Sequence, residues 1–338
     1  MEAGALSRAG GERSMHERSP RARLADPAFR WGLTVLAGGI LVLIGFFFVR
    51  LISEASPALS KFGVFGFTFA NNWDVPQEVY GALPLLVGTL ITAALAMAIG
   101  VPVAVGTALY VTELCPRRVR GPLTGLIDLL AAVPSVVYGL WGILFLAPQL
   151  QGIERFFAST FSWVPFFGGG QVVQPNYFIA GLILAIMIVP IVSAISREVM
   201  ATVPVDHKEA ALALGATRWE MIRTAVLPYS RAGITGAAML GLGRAVGETI
   251  AVTLVIGNAT VIGHHIFAQG STLAAVIANE FGEASPIHRS ALIAAGLVLF
   301  VLTVLVNGFA RRFVNRAGRT TARASTGGTA AATGAAAG

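Results

Sequence analysis

An arginine and a glutamate interrupt a long apolar stretch, GLGRAVGETIAVTLVIGN, at residues 241–258. Arg244 and Glu248 are four residues apart, a spacing that places two side chains on one face of a continuous helix. A charge in the middle of a membrane span is costly, and such residues usually have a function. The planar guanidinium of arginine donates two parallel hydrogen bonds to an oxyanion and stays protonated. The pair therefore indicates an anion path; the alternative is a buried ion pair that only fixes helix packing.

Polar residues in an earlier apolar stretch are weaker candidates for the same path. Asp128 lies near the start of that stretch, and Ser135 and Tyr138 follow it within three turns of a helix. Their carboxylate and hydroxyl groups can accept or donate hydrogen bonds to a polar ligand. The same groups can equally serve helix packing, so each of the three residues has a structural alternative.

A charged segment, EAALALGATRWEMIRTAVLP, occupies residues 209–228 of this otherwise apolar chain. Asp206, followed three residues later by Glu209, fits an N-cap with an acid in the first helical turn. Gly215 offers the left-handed conformation that ends many helices. The pattern predicts a short helix that ends in a glycine turn.

A second short helix is predicted directly after that turn. Thr217 and Glu220 have the spacing of a capping box, and the dipeptide Leu227-Pro228 is expected to end the helix. The two helices carry more apolar side chains than a solvated loop requires: Leu212, Leu214, Trp219 and Ile222. The segment either packs under its own protein or docks onto a partner.

Composition places these residues in a membrane protein. Hydrophobic residues make up 55% of the 338 residues and charged residues only 12%, where a soluble domain has about a quarter. Mean hydropathy is +0.73, and several apolar runs reach the ~20 residues that a helix needs to cross a bilayer. We therefore predict an all-α integral membrane protein with six transmembrane helices, at residues 31–52, 85–112, 123–147, 177–195, 232–257 and 290–310.

Basic residues predict the orientation of these spans. The N-terminal tail has six arginines, the loop after the second span three bases, the loop after the fourth span five, and the C-terminal tail five. The opposite loops have few, among them Lys61 and Arg155. The positive-inside rule then places both termini and the 209–228 segment in the cytoplasm. The net charge of +7 reflects this topology, and we predict no nucleic-acid partner.

The same patterns predict the domain organisation. Residues 1–29 are expected to form a disordered basic cytoplasmic tail and residues 313–338 a disordered, low-complexity cytoplasmic tail. Residues 30–312 form the transmembrane domain, with a core at about 85–310 and a cytoplasmic loop at 196–231. The protein is expected to be a multi-pass protein of the cell (inner) membrane.

The chain lacks the residues that several activities require. A P-loop needs a Gly-Lys-Ser/Thr sequence, but the two lysines, Lys61 and Lys208, follow serine and histidine, so the chain cannot hydrolyse ATP through such a loop. The histidines in or near a predicted external loop (His264, His265 and His288) have no accompanying cysteine or carboxylate pattern, so we predict neither a metal nor a cofactor. A membrane enzyme or scaffold and a secondary transporter stay as alternative classes.

The charged segment resembles the EAA loop of permease subunits in binding-protein-dependent ABC importers. The matching residues are Glu209, Ala210, Ala211, Gly215, Leu227 and Pro228. The family usually has isoleucine two places before the leucine, where this chain has Ala225. In that family the loop inserts into a groove of the ATPase subunit and transmits its closure to the membrane helices, so the resemblance implies a docking role and an ATPase supplied by another chain.

Further stretches resemble phosphate-specific importer permeases of the PstC type over roughly residues 35–312: YGALPLLVGTLITA, VPSVVYGLWG and GLGRAVGETIAVTLVIGN. The resemblance implies a type I ABC importer permease fold and transport of inorganic phosphate. It also implies a second permease of the PstA type, two ATPase subunits of the PstB type and an extracytoplasmic phosphate-binding protein of the PstS type. A permease for sulfate or molybdate and the PstA-type permease are the alternatives.

Overall fold

The computed structural model describes residues 20–334 apart from 165, 169 and 170, and the side chains of residues 29–309 and 312 within that range. In these residues the chain forms thirteen α-helices and one two-stranded antiparallel hairpin. The helices are α1 (Pro20–Phe62), α2 (Val64–Phe69), α3 (Leu83–Leu109), α4 (Arg117–Ala132), α5 (Ser135–Trp141), α6 (Ala147–Thr160), α7 (Tyr177–Ala201), α8 (Val205–Ala213), α9 (Arg218–Met221), α10 (Leu227–Gly247), α11 (Ile250–Val255), α12 (Leu273–Glu280) and α13 (Pro286–Gly334). The strands are β1 (Trp73–Asp74) and β2 (Val79–Tyr80).

Five helical segments among the described residues are long and apolar enough to cross a membrane. They are Phe29–Phe62, Leu83–Leu114, Ser135–Thr160, Tyr177–Ala201 and Pro286–Phe309. The chain divides after Ser53 into two compact units; in the first unit, most apolar side chains of residues 29–52 are exposed. The all-α membrane architecture predicted from composition is confirmed, and a sixth crossing is compatible with α10 and α11 together.

The predicted third and fifth spans differ from the observed helices. Val133, before Pro134, adopts an extended conformation, as expected for a residue preceding proline, so residues 123–147 are divided between α4 and α5. The observed crossing is 135–160. Residues 232–257 are likewise divided, because α10 ends at Gly247 and Glu248 is extended. Hydropathy shows neither break.

The long helices contain short π-helical segments, and prolines explain their positions. Three five-residue π-helical segments each precede a proline by two residues. Proline removes a backbone hydrogen bond and clashes with the carbonyl four residues earlier, and a wider turn relieves both effects. The segments are Tyr110–Leu114, Gly142–Leu146 and Ile222–Val226, before Pro116, Pro148 and Pro228. The prediction that Leu227-Pro228 ends a helix is therefore wrong, because the helix continues from the π-helical segment into α10.

Helix α7 is the centre of the second unit. It packs against α3 and α10 through residues buried on most of its circumference. The approach of α10 is close: a Cβ added at Gly241 would lie 2.7 Å from Val192 of α7, and one at Gly100 of α3 would lie 2.7 Å from Ile188. Small residues at these crossings bring the backbones together, as in other membrane bundles.

The tails are described only in part. Residues 20–29 belong to α1, and residues 313–334 belong to α13, where the sequence predicts disorder. Alanine and arginine, which are frequent in both stretches, have high helix propensity. Residues 1–19 and 335–338 of the two predicted tails lie outside the described residues.

Reporter fusions test the predicted orientation. We expect reporters at residues 119, 212 and 325 to be cytoplasmic and a reporter at residue 265 to be extracytoplasmic, because the bases are concentrated on the first side. Arg289, at the start of α13, is a further base on the predicted extracytoplasmic side, and the excess of bases on the predicted cytoplasmic side remains. An extracytoplasmic reporter at residue 212 would contradict the topology.

Candidate functional site

The EAA-like segment forms a helical hairpin between α7 and α10, which we call the coupling hairpin (residues 202–226). It is shorter than the predicted 196–231 loop, since α7 continues to Ala201 and α10 begins at Leu227. Helices α8 and α9 are joined at Gly215, whose φ of +85° is left-handed, as predicted. The Gly215 amide donates to the Leu212 carbonyl at 3.0 Å, which closes the turn.

The predicted capping box at the start of α9 is confirmed. The Glu220 amide donates to Thr217 Oγ1 at 3.3 Å, and the Thr217 amide donates to Glu220 Oε2 at 2.8 Å. The hydrogen bonds that the Thr217 amide and hydroxyl donate to the Glu220 carboxylate lower the pKa of this carboxyl group. The predicted cap of α8 is wrong: Pro204 occupies the N-cap position and Asp206 lies in the first turn, where its charge suits the helix dipole.

One surface of the coupling hairpin is apolar and uncovered. Leu214 is 90% exposed and Trp219 is 62% exposed, and Leu212 is also exposed. Ile222, the fourth apolar residue noted in the sequence, is buried instead. In the EAA-like motif, Glu209 and Ala210 are exposed and Ala211 is half-buried. Exposed apolar groups on a hairpin outside the membrane helices are typical of a protein interaction site.

The opposite surface of the coupling hairpin is fastened to the membrane helices. Met221, Ile222 and Val226 are buried in a cluster with Ala108 of α3 and Met200 of α7. This cluster shows why a hairpin that is largely charged keeps a fixed position under the bundle. Docking and packing, the two alternatives left open by the sequence, therefore use different faces of the same segment.

An ion pair adds to this attachment. Lys208 Nζ of α8 lies 2.6 Å from Oε1 of Glu113, at the C-terminal end of the Leu83–Leu114 segment, which is the predicted cytoplasmic end. The Glu113 side chain is 7% exposed and that of Lys208 is 20% exposed. Sequence analysis did not find this pair, because its members are far apart in the chain.

Arg244 and Glu248 are close in sequence but lie on different elements. Arg244 lies in the last turn of α10, where its charge suits the helix C-terminus. Glu248 follows the end of α10 and accepts a hydrogen bond from the Ala251 amide of α11 at 3.5 Å. The prediction of a shared helix face is therefore wrong, and the structure records no ion pair between these two described residues.

The position of Arg244 still suits a pathway. It is exposed in this chain, and Gly241, one turn earlier, packs against Ile188 and Val192 in the middle of α7. Tyr138 lies within electrostatic range of Arg244.

Asp128, Ser135 and Tyr138 lie on the two helices that meet at the break between α4 and α5. Tyr138 Oη donates to the Leu130 carbonyl at 2.7 Å and so connects the two helices across the break. Ser135, the first residue of α5, is half-buried. Asp128 is exposed on α4 and accepts a hydrogen bond from Arg197 of α7 at 2.8 Å.

Asp128 and Arg197 also line a cavity of about 350 Å³. Its other lining residues are Val111, Thr112, Arg120, Thr124, Ala194, Glu198 and Ala201. Because α4, the end of α7 and the end of the α3 crossing meet here, the cavity lies at the predicted cytoplasmic side. Arg197 was missed in the sequence because nothing local distinguishes it from the other basic residues near a span end.

Of the three histidines in or near the predicted external loop, His288 makes hydrogen-bond and ring contacts. His288 Nε2 lies 2.8 Å from Glu280 Oε2, which also accepts a hydrogen bond from Trp73 Nε1 at 3.0 Å. Burial, and then the charge of His264, lower the pKa of His265. Among the residues that the structure describes, no group of three or more His, Cys, Asp or Glu side chains could hold a metal ion.

Comparisons with known proteins agree with this architecture. Residues 100–319 match the family model described as "Binding-protein-dependent transport system inner membrane component". A solved bacterial alginate ABC transporter contains a chain with the same fold, at a TM-score of 0.61 and 16% identity, covering 87% of this chain and 97% of that chain. At that identity the likeness concerns the fold alone.

Relatives at higher identity extend over nearly the whole chain. The phosphate transport system permease protein PstC of Mesorhizobium japonicum is 43% identical over 302 residues, covering 88% of this chain and 92% of that protein. The PstC 2 protein of Mycobacterium tuberculosis is 42% identical, covering 86% and 92%. With a family model matched over most of the chain and full-length relatives above 40% identity, this protein belongs to the inner-membrane permease components of binding-protein-dependent ABC transport systems.

Proposed function

We propose that this chain is the PstC-type permease of an ATP-driven importer that carries inorganic phosphate into the cytoplasm. The observation that carries the proposal is the identity of about 40% with phosphate transport system permeases over almost the full length of both chains. Those relatives are PstC proteins, which favours this type over the PstA-type partner. The chain itself is a non-catalytic subunit, and ATP is hydrolysed by a separate chain.

The proposed partners follow from the same relationship. A permease of this family works with an ATPase and with a substrate-binding protein; we propose PstB-type and PstS-type proteins for these roles and a PstA-type chain as the second permease. The exposed apolar face of the coupling hairpin, with Leu214 and Trp219, is suited to the ATPase. We propose that Glu209, Ala210 and Gly215 of the EAA-like motif contribute to the ATPase contact. Leu227 and Pro228, the last residues of the motif, lie where the hairpin joins α10.

We propose that Arg244 offers the fixed positive charge in the phosphate path. Phosphate at neutral pH is an anion, and transfer of an anion into a low-dielectric interior is unfavourable unless a charge or hydrogen bonds replace the lost water. The Arg244 guanidinium provides both. Tyr138 and Ser135 can add hydroxyl contacts. Asp128 is proposed to act at the cytoplasmic end, where it holds Arg197.

Glu248 has a different role from the one predicted from spacing. It accepts a backbone hydrogen bond at the start of α11 instead of pairing with Arg244. We propose that it fixes the discontinuity between α10 and α11, next to the guanidinium. Discontinuous helices next to a substrate path are a recurrent feature of transporters.

Reconstitution with an oxyanion panel tests the substrate. The permease pair, ATPase and binding protein are placed in liposomes, and ATP hydrolysis is measured with phosphate, arsenate, sulfate or molybdate. We expect phosphate to stimulate hydrolysis and sulfate and molybdate to leave it at the basal rate. Stimulation by sulfate or molybdate without stimulation by phosphate would assign the protein to another oxyanion.

A further inference from the structure

The coupling hairpin has two kinds of connection to the membrane helices. Its ends continue covalently into α7 and α10, so any displacement of the hairpin reaches these helices through the backbone. Helix α3 has no such covalent connection. It meets the hairpin through the buried apolar cluster, to which it contributes Ala108, and through the Glu113–Lys208 ion pair.

The ion pair is the directional part of this contact. Apolar contacts have no preferred direction, so a small shift between the helices costs them little energy. The 2.6 Å contact between the Lys208 ammonium and the Glu113 carboxylate instead fixes the positions of these two groups relative to each other. Glu113 is almost fully buried, so moving Lys208 away would leave a buried carboxylate without its partner, which is strongly unfavourable. Helix α8 and the end of the α3 crossing are therefore held together when either one moves.

The position of Lys208 in the chain makes this contact relevant to coupling. Lys208 directly precedes Glu209, the first residue of the EAA-like motif, and lies in α8. Its side chain points to the bundle and contacts Glu113, while Glu209 and Ala210 on the same helix are exposed. One short helix thus contacts α3 on one side and presents the motif on the other.

We propose that Glu113 and Lys208 are positioning residues that pass the displacement of the coupling hairpin to α3. The inference rests on the proposed function, because it takes the hairpin to be the ATPase contact. It adds a specific path: α7 and α10 are driven through the backbone, and α3 is driven through this ion pair. Loss of the pair uncouples α3 and lowers the transport obtained from each ATP.

The test is a charge-swap experiment in the fully reconstituted transporter. Glu113→Gln, Lys208→Gln, the double variant Glu113→Lys/Lys208→Glu and the conservative Lys208→Arg are compared with wild type. Phosphate uptake, ATP hydrolysis and the amount of bound ATPase are measured on the same preparations. Asp206→Asn is the matched control, because Asp206 is an exposed charge on α8 with no recorded contact to the bundle in the described residues.

We expect the two single Gln variants to lower phosphate uptake per ATP hydrolysed by about fivefold or more, a size typical of residues in direct contact. ATPase binding should change by less than about twofold, because the exposed face of the hairpin is untouched. The double variant should regain at least half of the wild-type ratio, and Lys208→Arg and Asp206→Asn should keep it. Rescue by the swapped charges is a result that packing alone does not predict.

Three outcomes would overturn the inference. The first is an unchanged uptake per ATP in both Gln variants. The second is a swap that restores assembly and thermal stability without restoring this ratio, which would make the pair purely structural. The third is loss of bound ATPase in the Gln variants. Failure of the wild-type complex to transport phosphate would instead contradict the proposed function, so the two failures are distinguishable.

Discussion

Replacement of Arg244 by Gln is expected to reduce phosphate uptake by roughly 10- to 100-fold while the permease pair still assembles. Hydrogen bonds to a charged group contribute about 1.5–3 kcal/mol each, and about 1.4 kcal/mol corresponds to a tenfold change. Glutamine keeps a polar hydrogen-bonding side chain, although a shorter one, and removes the charge. Uptake of radiolabelled phosphate, normalised to assembled complex, measures the effect.

Two further variants make the Arg244 result specific. Arg244→Lys should recover only part of the activity, because a single ammonium lacks the planar fork. Arg155→Gln removes an exposed arginine of α6 on the predicted extracytoplasmic side and should leave uptake unchanged. Near-normal uptake by Arg244→Gln would show that Arg244 has no role in the anion path.

The ion-pair alternative makes a different prediction for the same residues. If Arg244 and Glu248 formed an ion pair that fixes helix packing, each single substitution would lower the stability and the yield of the complex. Exchanging the two residues would then restore both. Because the Glu248 carboxylate accepts a hydrogen bond from the Ala251 amide and the structure records no ion pair between it and Arg244, we expect the exchange to fail. Recovery of both yield and uptake in the exchanged variant would support the structural alternative.

Replacement of Gly215 by Val is expected to decrease ATPase stimulation by about fivefold or more without loss of the membrane assembly. A Cβ at this position would contact nothing within 4 Å, so the effect comes from the backbone. A left-handed conformation costs a residue with a side chain about 1–2 kcal/mol, and β-branched residues tolerate it poorly. The angle between α8 and α9, and with it the exposed face, should change.

Asparagine provides the matched control at this position. Gly215→Asn adds a side chain of similar size, but asparagine tolerates the left-handed region, so stimulation should stay close to wild type. Co-purification of the ATPase and phosphate-stimulated hydrolysis are measured for both variants. Normal coupling in Gly215→Val would mean that the coupling hairpin does not transmit ATPase closure.

Local chemistry in the sequence predicted the coupling hairpin well. Gly215 and the Thr217–Glu220 capping box interact only with residues a few positions away in the chain. Their effect on the backbone can therefore be derived from the sequence alone. Pro228 was predicted to end a helix, but the helix continues through it because the preceding π-helical segment accommodates the proline. The helix break at Val133 follows a known local rule, but a hydropathy window averages over it.

Contacts between distant residues were not predictable in the same way. Glu113 and Lys208 are 95 residues apart, and Asp128 and Arg197 are 69 residues apart. A single sequence gives no indication which charges meet after the helices pack. The placement of Arg244 and Glu248 on one helix face failed for a related reason, because it assumed that α10 continued beyond Gly247.

ATP-driven accumulation of phosphate in liposomes tests the central claim most directly. The complete complex is reconstituted with the binding protein on one side and ATP on the other, and radiolabelled phosphate and sulfate are followed separately. The account predicts accumulation of phosphate that requires ATP, the ATPase and the binding protein, with no accumulation of sulfate. Equal phosphate entry without ATP, or accumulation of sulfate in place of phosphate, would contradict it.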